Sequence, residues 1–322
     1  EKEIADLRIL SIAASTILFS VPNVLLGMVF PFSIKLKLKR LKLSGQTAGG
    51  LYALSTLGSI FGTFLTGFFL LAFLGSTKIL VLASFLLFFL SFLTSPTVLV
   101  LLSVIVAAVL ISKFQVKSNF YYEADTQYNH VILKVGEDSK TGRPILSLIT
   151  GRRSGKDGRQ SAMFLDRDDE LVFDVIKFFR MARQFGRSMD KVLMVGGGAY
   201  SYPKDFLKKN PQATIDVVEI DPGLTEIAKR FFNLEESPGL SVYHQDGRSF
   251  LNKNTKKYDA VLIDAYSSDA TIPFQLTTIE SAQRIFDSLE EGGVVIVNLI
   301  STLDNTKNRF LRAEYETYRK VF

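Results

Sequence analysis

The sequence predicts an α/β domain with a doubly wound, mostly parallel sheet, preceded by transmembrane helices. Three observations lead to this prediction. The first third of the 322-residue chain is almost free of charge. Later, short apolar runs alternate with segments of helical periodicity, and glycines or acidic residues directly follow several of those runs. We therefore expect transmembrane helices over residues 1–113, a small β-strand unit over 114–165 and the main α/β domain over 166–322.

Composition excludes several kinds of chemistry. The chain has no cysteine and two histidines, so disulfides, thiolate metal sites, cysteine nucleophiles and histidine-rich metal sites are not expected, and no metal is predicted. The chain begins at Glu1 rather than at a methionine and stops at Phe322 within a charged helical pattern. We therefore interpret it as a fragment.

The net charge of +6 is explained mainly by one short loop. Five basic residues within 35–42 separate two apolar segments, a pattern typical of cytoplasmic membrane loops. Nucleic-acid binding favours basic residues on the folded domain, interleaved with aromatic ones. The basic stretch at 152–159 is the only candidate, and we interpret it as a solvated loop, so no nucleic-acid partner is predicted.

Apolar segments long enough to cross a bilayer cover residues 7–34 and 47–74. A third covers 78–112, where Thr94-Ser95-Pro96 predicts a break into two short spans. The interiors of these segments contain no acidic, basic or histidine residue, which a proton or ion pathway would need. The pattern predicts three to four spans that anchor the chain in a lipid bilayer.

The pattern of the remaining chain predicts a group of strands, followed by alternating strands and helices. Runs of β-forming residues at 128–135 and 144–150 predict the small β unit, and apolar spacing predicts a helix over 170–185. Beyond it, the predicted strands are 191–195, 214–220, 240–243, 258–263 and 293–299. The main predicted helices between them are 224–232 and 277–289. Nearly all-apolar strands alternating with helices predict a parallel sheet covered on both faces.

Four groups come just after successive predicted strands: the glycines Gly196, Gly197 and Gly198, then Glu219, Asp246 and Asp264. Ligands of open α/β sheets bind at this edge. Each group alone has a structural explanation, because glycines make turns, acids cap helices and Asp-Gly is a turn dipeptide. Their occurrence after four consecutive strands favours a ligand site.

These residue types suit an adenosine. Glycines allow a ligand to approach the first turn closely, and the carboxylate of Glu219 can accept both ribose hydroxyls. Asp246 can accept from the exocyclic amine of adenine, and Asp264 lies toward the reacting end. The glycine turn contains no lysine or arginine for a pyrophosphate. The predicted ligand is S-adenosylmethionine or its decarboxylated form.

With these residues the sequence resembles the spermidine synthase (polyamine aminopropyltransferase) family, and most of all its membrane-fused bacterial branch. The matching strings are Val-Glu-Ile-Asp at 218–221, Asp246-Gly247, Tyr258-Asp259, Ile263-Asp264, Thr126-Gln127-Tyr128-Asn129, Asp157-Gly158-Arg159-Gln160 and Asp169-Glu170. The resemblance implies the Rossmann-like fold of S-adenosylmethionine-dependent methyltransferases. It also implies transfer of an aminopropyl group from decarboxylated S-adenosylmethionine to a diamine or related amine.

The resemblance assigns roles residue by residue. Asp264 would be the general base. The residues that would bind the cofactor are Asn129, Gly196, Gly197, Gly198, Glu219, Asp246 and Gly247. Those that would bind the amine substrate are Gln160, Asp174 and Asp269.

Three positions depart from the family pattern. Ala199 stands where the family has an aspartate that contacts the aminopropyl amine, Phe173 replaces a tyrosine of the amine pocket, and Asn129 replaces a glutamine. Asp174 follows where a glutamine or histidine is usual. Adenosine recognition is therefore better preserved than polyamine recognition.

Two alternatives stay open: a methyltransferase that uses S-adenosylmethionine on the same fold, and a non-catalytic, nucleoside-binding membrane protein. We expect an integral protein of the bacterial inner membrane. With the basic loop inside, four crossings would place the domain outside the cell and three would place it in the cytoplasm, where sulfonium cofactors occur. The cytoplasmic side is favoured, and a homo-oligomer is one option for the assembly.

Overall fold

The computed structural model describes residues 7–38, 43–94, 121–150, 159–168, 170–185, 188–266, 272–302, 304 and 308–322. The chain divides into two compact units, residues 1–70 and 71–322. The domain boundary expected at residue 113 lies outside the described residues, so the expected three-part division stays a prediction.

The first unit consists of long apolar helices. Helix α1 covers Leu7–Lys37, α2 covers Ser44–Leu65, and Thr66–Leu70 continue as one π-helical turn. The segments Ile9–Lys37 and Ser44–Leu70 are long and apolar enough to cross a membrane, and their side chains are not buried in the structure. The first of them lies near the N-terminus, where a signal sequence would have the same character. Three of the five basic loop residues, at 39, 40 and 42, lie outside the described part.

Helix α3, Leu71–Thr94, begins directly after the π-helical turn. The expected second and third apolar segments lie on either side of residues 75–77, and the helix continues through these residues. Residues such as glycine, serine and threonine cost at most about 1 kcal/mol each in a helix, which is too little to end one between long apolar stretches. The described part of α3 extends to Thr94, and the break expected at Thr94-Ser95-Pro96 falls at the limit of the described residues, so it stays a prediction. The second half of the third apolar segment lies outside the described residues, and the number of crossings stays a prediction.

The small β unit is a four-stranded antiparallel sheet in the order β1-β2-β3-β4. Its strands are Tyr122–Asp125, His130–Glu137, Pro144–Thr150 and Arg159–Phe164. The second strand was expected from residue 128. It begins two residues later because Thr126 N–H donates to Asn129 O at 2.8 Å and closes a turn there.

The main sheet has five parallel strands in the order β7-β6-β5-β8-β9. They are Lys191–Val195 (β5), Thr214–Val218 (β6), Leu240–Tyr243 (β7), Tyr258–Ile263 (β8) and Leu289–Val297 (β9). Two buried apolar clusters contain alternate residues of the central strands, so both faces are covered and the doubly wound, parallel prediction is confirmed. The order of strands reverses between β5 and β8, where such sheets bind ligands.

The connecting helices are α4 (Asp174–Lys177), α5 (Ala182–Phe185), α6 (Ser201–Lys209), α7 (Pro222–Phe231), α8 (Gly247–Lys253), α9 (Ile279–Asp287) and α10 (Arg309–Arg319). The helix expected over 170–185 is broken. Leu171 forms a bridge with Met163 of β4, and Phe173 is extended, so no helix can begin before Asp174. A 3-10 turn, Phe178–Met181, then separates α4 from α5.

Candidate active site

One cavity of about 860 Å³ lies at the carboxyl ends of the parallel strands. Every residue that the sequence proposed for the site lines this cavity, except Asp269, which lies outside the described residues. The glycine turn, Glu219, Asp246 and Asp264 face it from β5, β6, β7 and β8 respectively. The structure therefore brings together residues up to 135 positions apart in the chain, counted from Asn129 to Asp264. Their individual roles stay predictions.

The glycine turn after β5 is held by a close approach to β8. Gly196 has φ +100°, and a Cβ at this position would lie 2.2 Å from the carbonyl oxygen of Asp264. Asp264 N–H in turn donates to Val195 O at 2.8 Å. Only glycine fits this backbone, because both its conformation and its surroundings exclude a side chain. The glycine turn therefore allows Asp264, the predicted base, to lie directly beside the end of β5.

The carboxylate of Glu219 organises the turn. Its Oε2 accepts from Gly197 N–H at 2.8 Å and from Gly198 N–H at 3.2 Å, and its Oε1 accepts from Asp221 N–H at 2.9 Å. Burial raises the pKa of Glu219, and these backbone hydrogen bonds oppose that effect. The sequence suggested only ribose binding for this residue. In the structure Glu219 also accepts hydrogen bonds from three backbone N–H groups. These bonds fix the backbone of the glycine turn, which lines the cavity.

Asp246 is both a helix cap and a cavity residue. Its Oδ1 accepts from Ser249 N–H at 2.9 Å at the start of α8, and its Oδ2 accepts from Gln275 Nε2 at 3.3 Å. The capping explanation therefore holds alongside the proposed adenine contact. Gln275 also lines the cavity and was not identified from the sequence. Gly247 follows Asp246 directly, and a Cβ there would lie 2.7 Å from Val195 Cγ1.

Asp264 lines the cavity and is half-buried. Asn298 Nδ2 donates to its Oδ1 at 2.8 Å, and Tyr266 OH donates to the backbone carbonyl of Asn298 at 2.6 Å. Burial raises the pKa of Asp264, and the bond from Asn298 lowers it in part. A buried carboxylate with one fixed donor is suited to accept a proton.

Asn298 and Tyr266 were not identified from the sequence. The expected strand 293–299 placed Asn298 inside the sheet, whereas β9 ends at Val297 and leaves Asn298 at the same edge as Asp264. The position at which β9 ends follows from its register with β8, in which Ile263 pairs with Val297. This register is not visible in the sequence.

The small β unit is tied to the main sheet through Asp221, the cap of α7. Asn129 Nδ2 donates to Asp221 Oδ2 at 2.7 Å, and the hydroxyl of Thr126 donates to the same oxygen. Asn129 was expected to bind the cofactor. It lines the cavity, but its amide also joins the two sheets, a role that the sequence did not indicate.

Asp174, expected to bind the amine, lines the cavity and is also an ion-pair partner. Its carboxylate pairs with Lys140 and, at 3.1 Å, with Lys177. Hydrogen bonds from these two lysines hold the pKa of Asp174 below its usual range. Gln160 and Phe173 line the cavity nearby, as the resemblance implied.

Ala199 does not line the cavity. It is fully buried in the cluster between the β unit and α7, with Val131, Leu133 and Phe232. The expected position of Ala199 at the aminopropyl end is therefore not supported by the geometry. The side chains of the turn that do line the cavity follow it, at Ser201 and Tyr202.

The side chain of Tyr200 packs against the glycine turn at Gly197. It is fully buried with φ 57°, and a Cβ on Gly197 would lie 2.8 Å from its Cζ. Its hydroxyl is 2.7 Å from Thr225 Oγ1, which in turn is 2.9 Å from His244 Nε2. Left-handed backbone is uncommon for a tyrosine, so nothing in the sequence indicated this support.

We expect Tyr200→Phe to lower the free energy of unfolding by about 1–2 kcal/mol, because the buried hydrogen bond between Tyr200 and Thr225 is lost. The same variant should also weaken nucleoside binding, since the turn loses a fixed support. Tyr258→Phe is the matched control: its hydroxyl donates to Asp216 at 2.8 Å, away from the cavity. Denaturant unfolding and calorimetry with methylthioadenosine measure both effects. Equal changes of affinity in the two variants would contradict the supporting role.

Among the described residues, no group of three or more histidine, cysteine, aspartate or glutamate side chains is placed to hold a metal ion. The parallel sheet, its switch point and the glycine turn with a following acidic residue define the class of the domain: a Rossmann-like fold of the methyltransferase type.

Comparisons with known proteins find one family repeatedly. Residues 175–311 match the spermine/spermidine synthase domain. A polyamine aminopropyltransferase of Vibrio vulnificus is 29% identical over 159 residues, which are 48% of this chain and 51% of that protein. A probable polyamine aminopropyl transferase of Bifidobacterium longum is 29% identical over 210 residues, 64% of this chain and 43% of its own length. Over residues 175–311 the chain is similar to the spermine/spermidine synthase family, and it spans about half the length of these curated relatives.

A solved structure supports the fold. The probable spermidine synthase of Corynebacterium glutamicum superposes with a TM-score of 0.51 at 20% sequence identity, covering 62% of this chain and 70% of that one. At this identity the likeness concerns the fold alone.

Proposed function

We propose that the domain is an alkyltransferase of the aminopropyltransferase type, which uses decarboxylated S-adenosylmethionine and an amine acceptor. The observation that carries this proposal is the single cavity that the glycine turn, Glu219, Asp246 and Asp264 line together, within the residues that match the family domain. No metal takes part in the proposed reaction.

The adenosine would occupy the side of the cavity between β5 and β7. Glu219 would accept a ribose hydroxyl at Oε1, which has one backbone partner, whereas Oε2 already has two. Asp246 would accept from the adenine amine, with Gly247 leaving room for the base. The sulfonium would then lie toward Asp264, at the strand next to the switch point.

Asp264 would act as the general base. An alkylammonium has no lone pair, so the acceptor must first transfer one proton to the Asp264 carboxylate. The freed amine then forms a bond to the methylene next to the sulfonium, and the carbon–sulfur bond breaks with its electron pair going to sulfur. The products are the alkylated amine and methylthioadenosine. Asn298 would keep Asp264 aimed at the attacking nitrogen.

We further propose that helices α1 and α2 anchor the enzyme in the bacterial inner membrane, as in the membrane-fused branch, with the domain on the cytoplasmic side. Their exposed apolar side chains and the basic residues Lys35 and Lys37 at the end of α1 support this. The chain has no cysteine, so a Lys253→Cys variant offers one labelling site. We expect a membrane-impermeant maleimide to label it only after cell lysis; labelling of intact cells would contradict the cytoplasmic location.

A methyltransferase that uses S-adenosylmethionine is the second candidate. Ala199 is buried outside the cavity, so the lack of a carboxylate at this position does not distinguish this candidate from the first. A nucleoside-binding protein without catalysis is the third alternative.

Full-length protein in detergent, titrated calorimetrically with decarboxylated S-adenosylmethionine, S-adenosylmethionine and methylthioadenosine, tests the proposal. We expect all three to bind and methylthioadenosine to be released when the decarboxylated form and an amine are both present. Release of S-adenosylhomocysteine from S-adenosylmethionine would select the methyltransferase. Binding without turnover of any amine would select the non-catalytic alternative.

A further inference from the structure

We propose that the end of the cavity formed by Lys140, Arg159, Gln160 and Phe173 binds a carboxylate of the ligand, so that the natural donor or acceptor is an amino acid derivative rather than a plain diamine. This inference rests on the proposed function, since it concerns the same cavity. The carboxylate belongs either to an amino-acid acceptor of the proposed transfer or to S-adenosylmethionine, the donor of the second candidate function.

The first observation is the setting of Arg159. Its side chain lines the cavity, and its guanidinium carbon lies 5.7 Å from the ring centroid of Phe173. Among the residues that the structure describes, no carboxylate pairs with Arg159 within 4.0 Å. Asp138 is close enough to be affected by its charge, but the Asp138 carboxylate is already bonded to Thr141, at 2.7 Å from the hydroxyl and 3.0 Å from the N–H. A planar guanidinium held over an aromatic ring is well suited to receive a carboxylate.

The second observation is a β-bulge that directs side chains into the cavity. Leu148 pairs with Ser161 and Ile149 pairs with Arg159, so Gln160 is the additional residue of β4. In a regular strand, neighbouring side chains point to opposite faces. Here Arg159, Gln160 and Ser161 all line the cavity, and bulges with this effect are frequent next to active sites.

The bulge also connects this end of the cavity to the glycine turn. Ser161 Oγ accepts from Ala199 N–H at 3.2 Å, and a Cβ on Gly198 would lie 2.8 Å from the same oxygen. Arg159 is two residues from Ser161 along the strand, a distance of about 7 Å. Its long side chain is therefore within reach of a ligand that extends from the glycine turn.

The third observation is that no unpaired carboxylate is present at this end of the cavity, among the described residues, to bind the second ammonium group of a diamine. Asp174 is the acidic residue at this end of the cavity among the described residues, and it pairs with both Lys140 and Lys177. A diamine would have to replace those lysines and lie beside Arg159. A carboxylate on the ligand would instead be attracted by Arg159 and Lys140, while the ligand's amine remains near Asp264.

Two matched pairs of ligands test this inference with the full-length protein. S-Adenosylmethionine differs from its decarboxylated form by one carboxylate, and ornithine differs from putrescine in the same way. Binding is measured by calorimetry, with the two acceptors titrated in the presence of methylthioadenosine. Arg159→Met removes the charge and keeps an apolar side chain over Phe173, and Arg159→Lys keeps the charge. Arg183→Met, away from the cavity, is the control.

If the carboxylate belongs to the donor, S-adenosylmethionine should bind at least about tenfold more tightly than its decarboxylated form, and Arg159→Met should abolish this difference. If it belongs to the acceptor, the same preference should appear for ornithine over putrescine. Arg159→Lys should retain part of the preference in either case, and Arg183→Met all of it. Methylthioadenosine, which has no carboxylate, should bind all variants equally.

Preference for the plain amine in both pairs, or a preference for the carboxylate that survives Arg159→Met, would overturn this inference while leaving the adenosine site intact. Failure of methylthioadenosine to bind wild-type protein would instead reject the proposed function, and this inference with it.

Discussion

Replacing Asp264 with asparagine is expected to lower turnover by about 10²–10⁴-fold, because an amide cannot take the proton from the acceptor ammonium. Binding of methylthioadenosine should change little, since the carboxylate contacts Asn298 and not the proposed nucleoside side of the cavity. Release of methylthioadenosine under saturating donor and amine measures turnover, and calorimetry measures binding. Normal turnover of this variant at neutral pH would show that the base lies elsewhere.

The pH dependence of the same residue gives an independent check. Burial raises the pKa of Asp264 in the folded protein, so the wild-type rate should increase as the pH rises through that value. The folded state also binds this proton more tightly than the unfolded state, so ionised Asp264 reduces stability above the raised pKa. Below the pKa of the unfolded chain the penalty is absent. Asp264→Asn should therefore be at least as stable as wild type at neutral pH, measured as Tm.

Replacing Glu219 with alanine is expected to abolish binding of every adenosine ligand and to lower the free energy of unfolding by at least about 2 kcal/mol. The substitution leaves the N–H groups of Gly197, Gly198 and Asp221 without their acceptor in a buried place. It also removes the proposed partner of the ribose. Calorimetry with methylthioadenosine and denaturant unfolding measure the two effects.

Two further variants separate folding from binding at this position. Glu219→Gln keeps one acceptor oxygen for the turn, so it should fold while still binding adenosine ligands more weakly. Glu226→Ala removes an exposed carboxylate from α7 and should change neither quantity. If Glu219→Gln bound methylthioadenosine as wild type does, the ribose assignment would be wrong.

The main sheet could be predicted because its strands are short apolar runs ended by polar residues. Strands β5, β7 and β8 have the expected bounds, and the groups that follow them line one cavity. Strand β9 was expected four residues late, because Glu290 to Gly293 look like a turn in the sequence. In the structure Leu289 already pairs with Tyr258, an interaction between distant residues that local pattern does not contain.

The parts of the site that could not be predicted depend on tertiary contacts. Glu219 accepts from backbone N–H groups more than twenty residues away, and Asn298 depends on where β9 ends. The bulge at Gln160 arises from pairing with β3 and leaves no trace in the composition of β4. Residue type and strand order therefore located the cavity, whereas the partners of each side chain required the folded chain.

The cavity has one wall in each of two sheets. Gln160 lies in β4 and Asn129 in the turn before β2, whereas Glu219 and Asp264 directly follow strands of the parallel sheet, and Asp221 joins the two units. A nucleoside in this cavity would contact both the antiparallel sheet unit and the parallel sheet, and so hold them together. A protease cut at the exposed Leu165, just after β4, would separate the antiparallel sheet from the parallel sheet in the chain. The two fragments should dissociate more slowly when the nucleoside is bound, because the nucleoside contacts both.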